Sequence, residues 1–157
     1  MLLTPHAMVG AAIGASTDNL TYIIILAFLS HFILDIIPHF DWGTWHDNKD
    51  FKLEIKDYLL VATDVVTLLI FTIILWDNIN TNYYIFAGMF FAVLVDLIFN
   101  VPFWKKFTIS APILKYIQLV HQKLHFRLKK KYWYIGVITQ IIIIFFAFYI
   151  VYIQGGL

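Results

Sequence analysis

Long, nearly uninterrupted apolar stretches alternate with short polar ones along this 157-residue chain. A hydrocarbon core of about 30 Å takes roughly 20 apolar residues per crossing helix. Four stretches meet that requirement: Leu20 to Ile37, Tyr58 to Trp76, Tyr83 to Phe99 and Trp133 to Ile153. The third is the shortest and extends into the Asn-Val-Pro that ends at Pro102. A fifth stretch, Thr4 to Ser16, is shorter still. Thr4 serves there as N-cap and Pro5 suits the first turn, so a short spanning or half-inserted helix is predicted. Two loops have content of their own. Residues Pro38 to Lys56 are polar, with Trp42, Trp45, His46 and charges of both signs. Residues Phe103 to Tyr132 hold most of the basic side chains, and within them Ile113, Ile117, Val120, Leu124 and Leu128 recur at helical spacing. That recurrence predicts an amphipathic helix lying on the membrane surface. With no internal repeat and no low-complexity linker, residues 1–157 read as one domain. The fold class is an all-α integral membrane protein: four full transmembrane helices, a short N-terminal helix and a cytoplasmic amphipathic helix.

Composition agrees with this pattern. Hydrophobic residues make up 61% and charged residues 13%, against about 45–50% and about 25% in an average soluble domain. Mean hydropathy is +0.80. A formal net charge of +1 gives no nucleic-acid footprint. Trp42, Trp45, Trp104 and Trp133 read as interface anchors. The absence of cysteine excludes disulfides and thiolate metal sites. The N-terminal "MLLTPHAMVG" has no basic n-region and contains Pro5, unlike a cleaved signal peptide. Charge bias sets the orientation. Lys105, Lys106, Lys115, Lys123, Arg127 and Lys129 to Lys131 put the second loop in the cytoplasm. The loop Asp77 to Asn82 has no Lys or Arg and faces outward. Lys49, Lys52 and Lys56 then agree on a cytoplasmic first loop. The N-terminus comes out cytoplasmic and the C-terminus external.

On that topology the ionisable residues gather at one end. His6 opens the first helix, His31 and Asp35 close the second, and Asp57 and Asp64 begin the third. Asp96 lies near the cytoplasmic end of the next, and His121 and His125 lie on the amphipathic helix. The outer halves, such as "LLIFTIIL" and "IIIIFFAFYIV", carry no charge. A charge at the bilayer centre costs at least about 2.5–3.5 kcal/mol on insertion scales. Asp35, Asp64 and Asp96 have no Lys or Arg in their own helices to pair with, so they are protonated, wetted or bound to cations. His31 and Asp35 stand at i, i+4 on one helix face, as do His121 and His125. Pro38 ends the second helix, with His39 and Asp41 just beyond. His6, Gly10 and Gly14 share a face, and the small-residue stripe allows close packing that carries His6 into the bundle. The predicted ligands are His6, His31, Asp35, His39, Asp64, Asp96 and His125, with zinc, iron or manganese as the cation. Singly, each has a plainer explanation: a hydrogen-bonded His31, a capping Asp41, surface histidines at 121 and 125. His46, Asp47 and Asp50 read as solvated loop residues.

At "TPHAMVGAAIG" and "LSHFILDIIPHFD" the chain resembles a broad group of small prokaryotic membrane proteins, the inner-membrane metal-dependent hydrolases. These typically show an N-terminal H-x3-G helix and a helix ending in an acidic/histidine motif around a proline. The resemblance covers about the first quarter of the chain and carries over His6, His31, Asp35, His39 and Asp41. The His31–Asp35 pair is also similar to a zinc-ligand pair of bacterial zinc-dependent phospholipases C. An "HRGxTHS"-like motif, which many of the group carry, is absent.

Three functions follow as expectations. The first is a membrane-embedded metal-dependent hydrolase, with the site at the cytoplasmic boundary of the inner membrane, membrane lipids around it and a phosphate- or ester-bearing amphiphile as substrate. Asp64 or Asp41 would act as the catalytic carboxylate. There is no GxSxG motif, and neither Ser30 nor Ser110 stands in a context suited to a nucleophile. The second is transport or binding of a cation, metal or proton, which the apolar outer halves disfavour. The third is a scaffold whose polar cluster serves packing alone.

Overall fold

The computed structural model describes residues 1–41, 54–100, 111–126 and 128–155. The loop expectations on Trp42, Trp45, His46, Lys49, Trp104, Lys105 and Arg127 lie outside them. All regular structure among the described residues is helical. The elements are α1 (Leu3–Ser16), α2 (Leu20–Ile36), α3 (Ile55–Ile74), α4 (Trp76–Thr81), α5 (Tyr83–Asn100), α6 (Pro112–Leu124) and α7 (Trp133–Gly155). A 3-10 turn, Lys130–Tyr132, leads into α7.

Most helices fall where the apolar runs predict, and the differences have local causes. Helix α3 starts three residues early because Glu54 and Asp57 form a capping box, with Glu54 N–H donating to Asp57 Oδ2 at 2.7 Å. It stops at Ile74, and the expected outer loop is itself the short helix α4. Helix α2 stops at Ile36 because Ile37 precedes Pro38 and takes an extended conformation, ψ 139°. Thr4 is not the N-cap of α1. Leu2 holds that position without a side-chain cap bond, and Thr4 lies inside the first turn. Among the described residues, two helical stretches are long and apolar enough to cross a membrane, Ile55–Ile74 and Lys130–Gln154. Helices α2 and α5 are apolar but shorter.

Helix α1 is the centre of the bundle and packs against α5, α7, α2 and α3. Its glycines make this possible. A Cβ on Gly10 would collide with the Gly88 carbonyl of α5, and one on Gly14 with the Tyr84 carbonyl. The two backbones therefore approach at a distance only glycine allows. Ala7, Met8, Ala11 and Ala12 of α1 form an apolar core with Ile85, Met89 and Val93 of α5 and Ala147 and Val151 of α7.

Helix α3 is arranged the other way round. Its buried residues are Asp57 and Asp64, while Leu59, Val65, Leu69, Ile70 and Ile73 are exposed. An apolar exterior over a polar interior face is the pattern a hydrocarbon solvent selects. Helix α6 faces α2 with buried His121 and presents Ile113, Tyr116 and Leu119 outward.

Candidate metal centre

At the end of the bundle where α1 begins and α2 ends, histidines and aspartates converge from five places in the chain. His6 comes from α1, His31 and Asp35 from α2, and His39 and Asp41 from the segment after Pro38. Asp96 comes from α5, and His121 and His125 from α6 and its cap. Asp35 is the hub and is fully buried, as are His6 and His31. Asp35 Oδ2 lies 2.7 Å from His121 Nε2 and 3.4 Å from His31 Nε2. Asp35 Oδ1 lies 3.4 Å from His6 Nε2 and 2.6 Å from the amino nitrogen of Met1. That nitrogen is 3.5 Å from His125 Nε2. His31 Nε2 is 3.3 Å from His121 Nε2 and 3.8 Å from Asp96 Oδ1. On the rim, His125 Nε2 is 3.3 Å from both His39 Nε2 and Asp41 Oδ2.

These separations suit a cation. Zinc bonds of about 2.0–2.1 Å in a tetrahedron put neighbouring ligand atoms about 3.3 Å apart. The rings are also oriented as ligands. His31 Nδ1–H donates to the Ala92 carbonyl of α5 at 2.9 Å, and His39 Nδ1–H donates to the Ile37 carbonyl at 2.8 Å. A carbonyl only accepts, so each Nδ1 carries the proton and each Nε2 lone pair faces the cluster. His6 supplies the most telling feature. It is wholly buried and stacked on His31 with ring centroids 4.1 Å apart, yet neither ring nitrogen has a hydrogen-bond partner. Buried polar groups are rarely left so. A cation beside Nε2 would complete it. The buried His/Asp groups of this centre can hold a metal ion.

Electrostatics on the rim agree with that chemistry. Burial, followed by the Met1 amine, lowers His125 to about 4, against the raising pull of Asp35 and Asp41. Its imidazole is neutral at pH 7, the form that binds metal. Burial pushes the Asp41 carboxyl up. The neighbouring His39 ring and the positive Met1 amine outweigh this and hold it below the usual carboxylate range.

Of the expected ligands, the structure brings together His6, His31, Asp35, His39, Asp96 and His125, with Asp41 at the rim. Asp64 stands apart from them. Its Oδ2 accepts from Leu3 N–H at 2.6 Å, and its Oδ1 accepts from Thr4 N–H at 3.1 Å and the Thr4 hydroxyl at 2.7 Å. The carboxylate of α3 thus caps α1, doing across the bundle what Thr4 was expected to do locally. Its two oxygens accept three hydrogen bonds from the start of α1.

Some participants were not in the expected set. His121 is one, although its i, i+4 relation to His125 is visible in the sequence. Gln140 is another, the lone amide in the apolar run of α7. Its Nε2 donates to the Phe40 carbonyl at 2.9 Å and its Oε1 accepts from Leu2 N–H at 3.1 Å. It thereby holds the rim segment and the start of α1 together. Gly136 assists, since a Cβ there would strike the His39–Phe40 backbone. Phe126 N–H donates to the Asp35 carbonyl at 2.7 Å and fixes the His125 cap against α2. Compared with known proteins, the chain matches no family model, no curated protein and no solved structure.

Proposed function

We propose that this chain is a membrane-embedded metal-dependent hydrolase whose site lies at the cytoplasmic boundary of the inner membrane. Its substrate is a phospholipid or another phosphate- or ester-bearing amphiphile. The observation that carries the reading is the convergence of imidazoles and carboxylates from five chain segments around Asp35, with His6 buried and neither of its ring nitrogens hydrogen-bonded. The membrane part of the reading rests on α3, which exposes its apolar side chains and buries two carboxylates. Zinc suits the donor set best, because imidazole and carboxylate at roughly tetrahedral spacing are its common ligands.

Bound zinc polarises an ester or phosphoryl oxygen and brings the pKa of water toward neutrality. The chain's own residues do the rest. Asp35, His31, His121 and His6 hold the cation. Asp41 is the carboxylate we assign to proton acceptance, since it sits on the rim with its side chain 14% exposed and is held in the ionised form. The lysines at 123 and 129–131 attract an anionic headgroup to the same end.

The test is metal analysis combined with turnover. Detergent-solubilised protein is expected to carry zinc, iron or manganese and to release headgroup or fatty acid from mixed lipids, with activity lost to chelator and restored by metal. Folded protein that retains no metal after loading would overturn the reading. Retained metal without turnover across a broad lipid panel, but with metal flux in liposomes, would favour transport instead.

A further inference from the structure

The geometry points to a two-cation site, with Asp35 as the carboxylate shared between the two ions. This deepens the metal-site reading above and depends on it. Three overlapping sets of ligand atoms exist: His6, His31 and Asp96; His31, Asp35 and His121; Asp35, His39 and His125. How many ions they hold follows from which atoms are shared.

The first two sets share His31. Its Nδ1–H is committed to the Ala92 carbonyl, so only Nε2 remains for a cation. One lone pair serves one ion, and these two sets collapse into a single position at the helix wall. The fully buried ring of His6, neither nitrogen of which is hydrogen-bonded, belongs to that position. The second and third sets share Asp35, which has two oxygens. Oδ2 faces His121 and His31, while Oδ1 lies 3.4 Å from His6 Nε2 and 2.6 Å from the Met1 amino nitrogen, which is itself 3.5 Å from the rim's His125 Nε2. A carboxylate can give one oxygen to each of two cations. At the rim, His39 Nε2 and His125 Nε2 lie 3.3 Å apart and complete the third set with Asp35. That set has a donor count and spacing similar to the wall set, and it uses none of the wall's histidines.

The two positions thus draw on separate histidines and meet only at Asp35. Paired cations about 3.5–4 Å apart clamp both the attacking and leaving oxygens of an in-line displacement, the arrangement that phosphoester cleavage uses.

Full-length protein in detergent, loaded with Mn(II) or Zn(II) and freed of excess metal, provides the test. The wild type is expected to hold two ions per chain and to give the exchange-coupled Mn(II) spectrum of a close pair. His125→Ala is expected to hold one, with an isolated Mn(II) signal, and His121→Ala to lose the wall ion selectively. Far-ultraviolet circular dichroism verifies that each variant is folded. Should His125→Ala not fold, the wild-type stoichiometry and spectrum decide alone. A wild type that holds one ion with an uncoupled signal overturns the two-cation site and leaves the metal-dependent reading standing. A folded wild type that holds none overturns both.

Discussion

Asp35 and Asp64 are both buried carboxylates on apolar helices, and they do opposite things. Asp35 is surrounded by the Met1 amine at 2.6 Å and by imidazole nitrogens at 2.7 to 3.4 Å. Asp64 is surrounded by backbone N–H groups and one hydroxyl at 2.6 to 3.1 Å. Burial alone therefore does not make a membrane-embedded aspartate a ligand. The donors around Asp64 are fixed protons on a helix end, which a carboxylate satisfies completely. The groups around Asp35 include lone pairs, which a carboxylate cannot satisfy and a cation can.

The sharpest way to break this contrast is to remove Asp35. Asp35→Ala is expected to abolish metal retention, a larger effect than the roughly 10–100-fold that outer-shell partners cost. The check is metal content by mass spectrometry after gel filtration. Metal retained at the wild-type level would sink the contrast. Next in size is the packing that brings His6 to Asp35. Gly10→Val drives a side chain into the Gly88 carbonyl and is expected to destabilise by at least about 1–3 kcal/mol, the usual cost of overpacking. Thermal unfolding in detergent reads this out, and an unchanged midpoint would contradict the close α1–α5 contact.

Asp64→Ala sharpens the contrast from the other side. It strands the Leu3 and Thr4 N–H groups, which predicts a loss of about 1–3 kcal/mol with metal content retained. Loss of metal with little change in stability would move Asp64 back among the ligands. The smallest effect is expected at Gln140. Gln140→Leu unties Leu2 and Phe40 and predicts about a 10-fold weaker hold on metal with nearly unchanged unfolding. Competition with a chelator of known affinity measures it.

Much of this is legible from sequence, for identifiable reasons. The helices follow from runs of apolar residues bounded by Pro38 and polar loops, signals that act locally. The i, i+4 pairs His31–Asp35 and His121–His125 also announce themselves, because helical spacing alone sets their common face. What cannot be read is which carboxylate meets which partner. Asp35, Asp64 and Asp96 look alike in sequence as isolated acids in apolar runs. Their roles depend on which end of which helix lies opposite, and that is tertiary information. The cap of α1 shows the same limit. Thr4 looks like an N-cap, but the helix starts earlier and takes its acceptor from a residue sixty positions away. Gln140 carried a signal, since a lone amide in an apolar run needs partners, but nothing in the run says that those partners are Leu2 and Phe40.

The most direct test of the central claim compares metal content in wild type, Asp35→Ala and Asp64→Ala, purified and loaded in parallel. Stoichiometric divalent metal is expected in the wild type and in Asp64→Ala, and none in Asp35→Ala. Folded wild-type protein without metal, or Asp35→Ala with as much metal as the wild type, would contradict it.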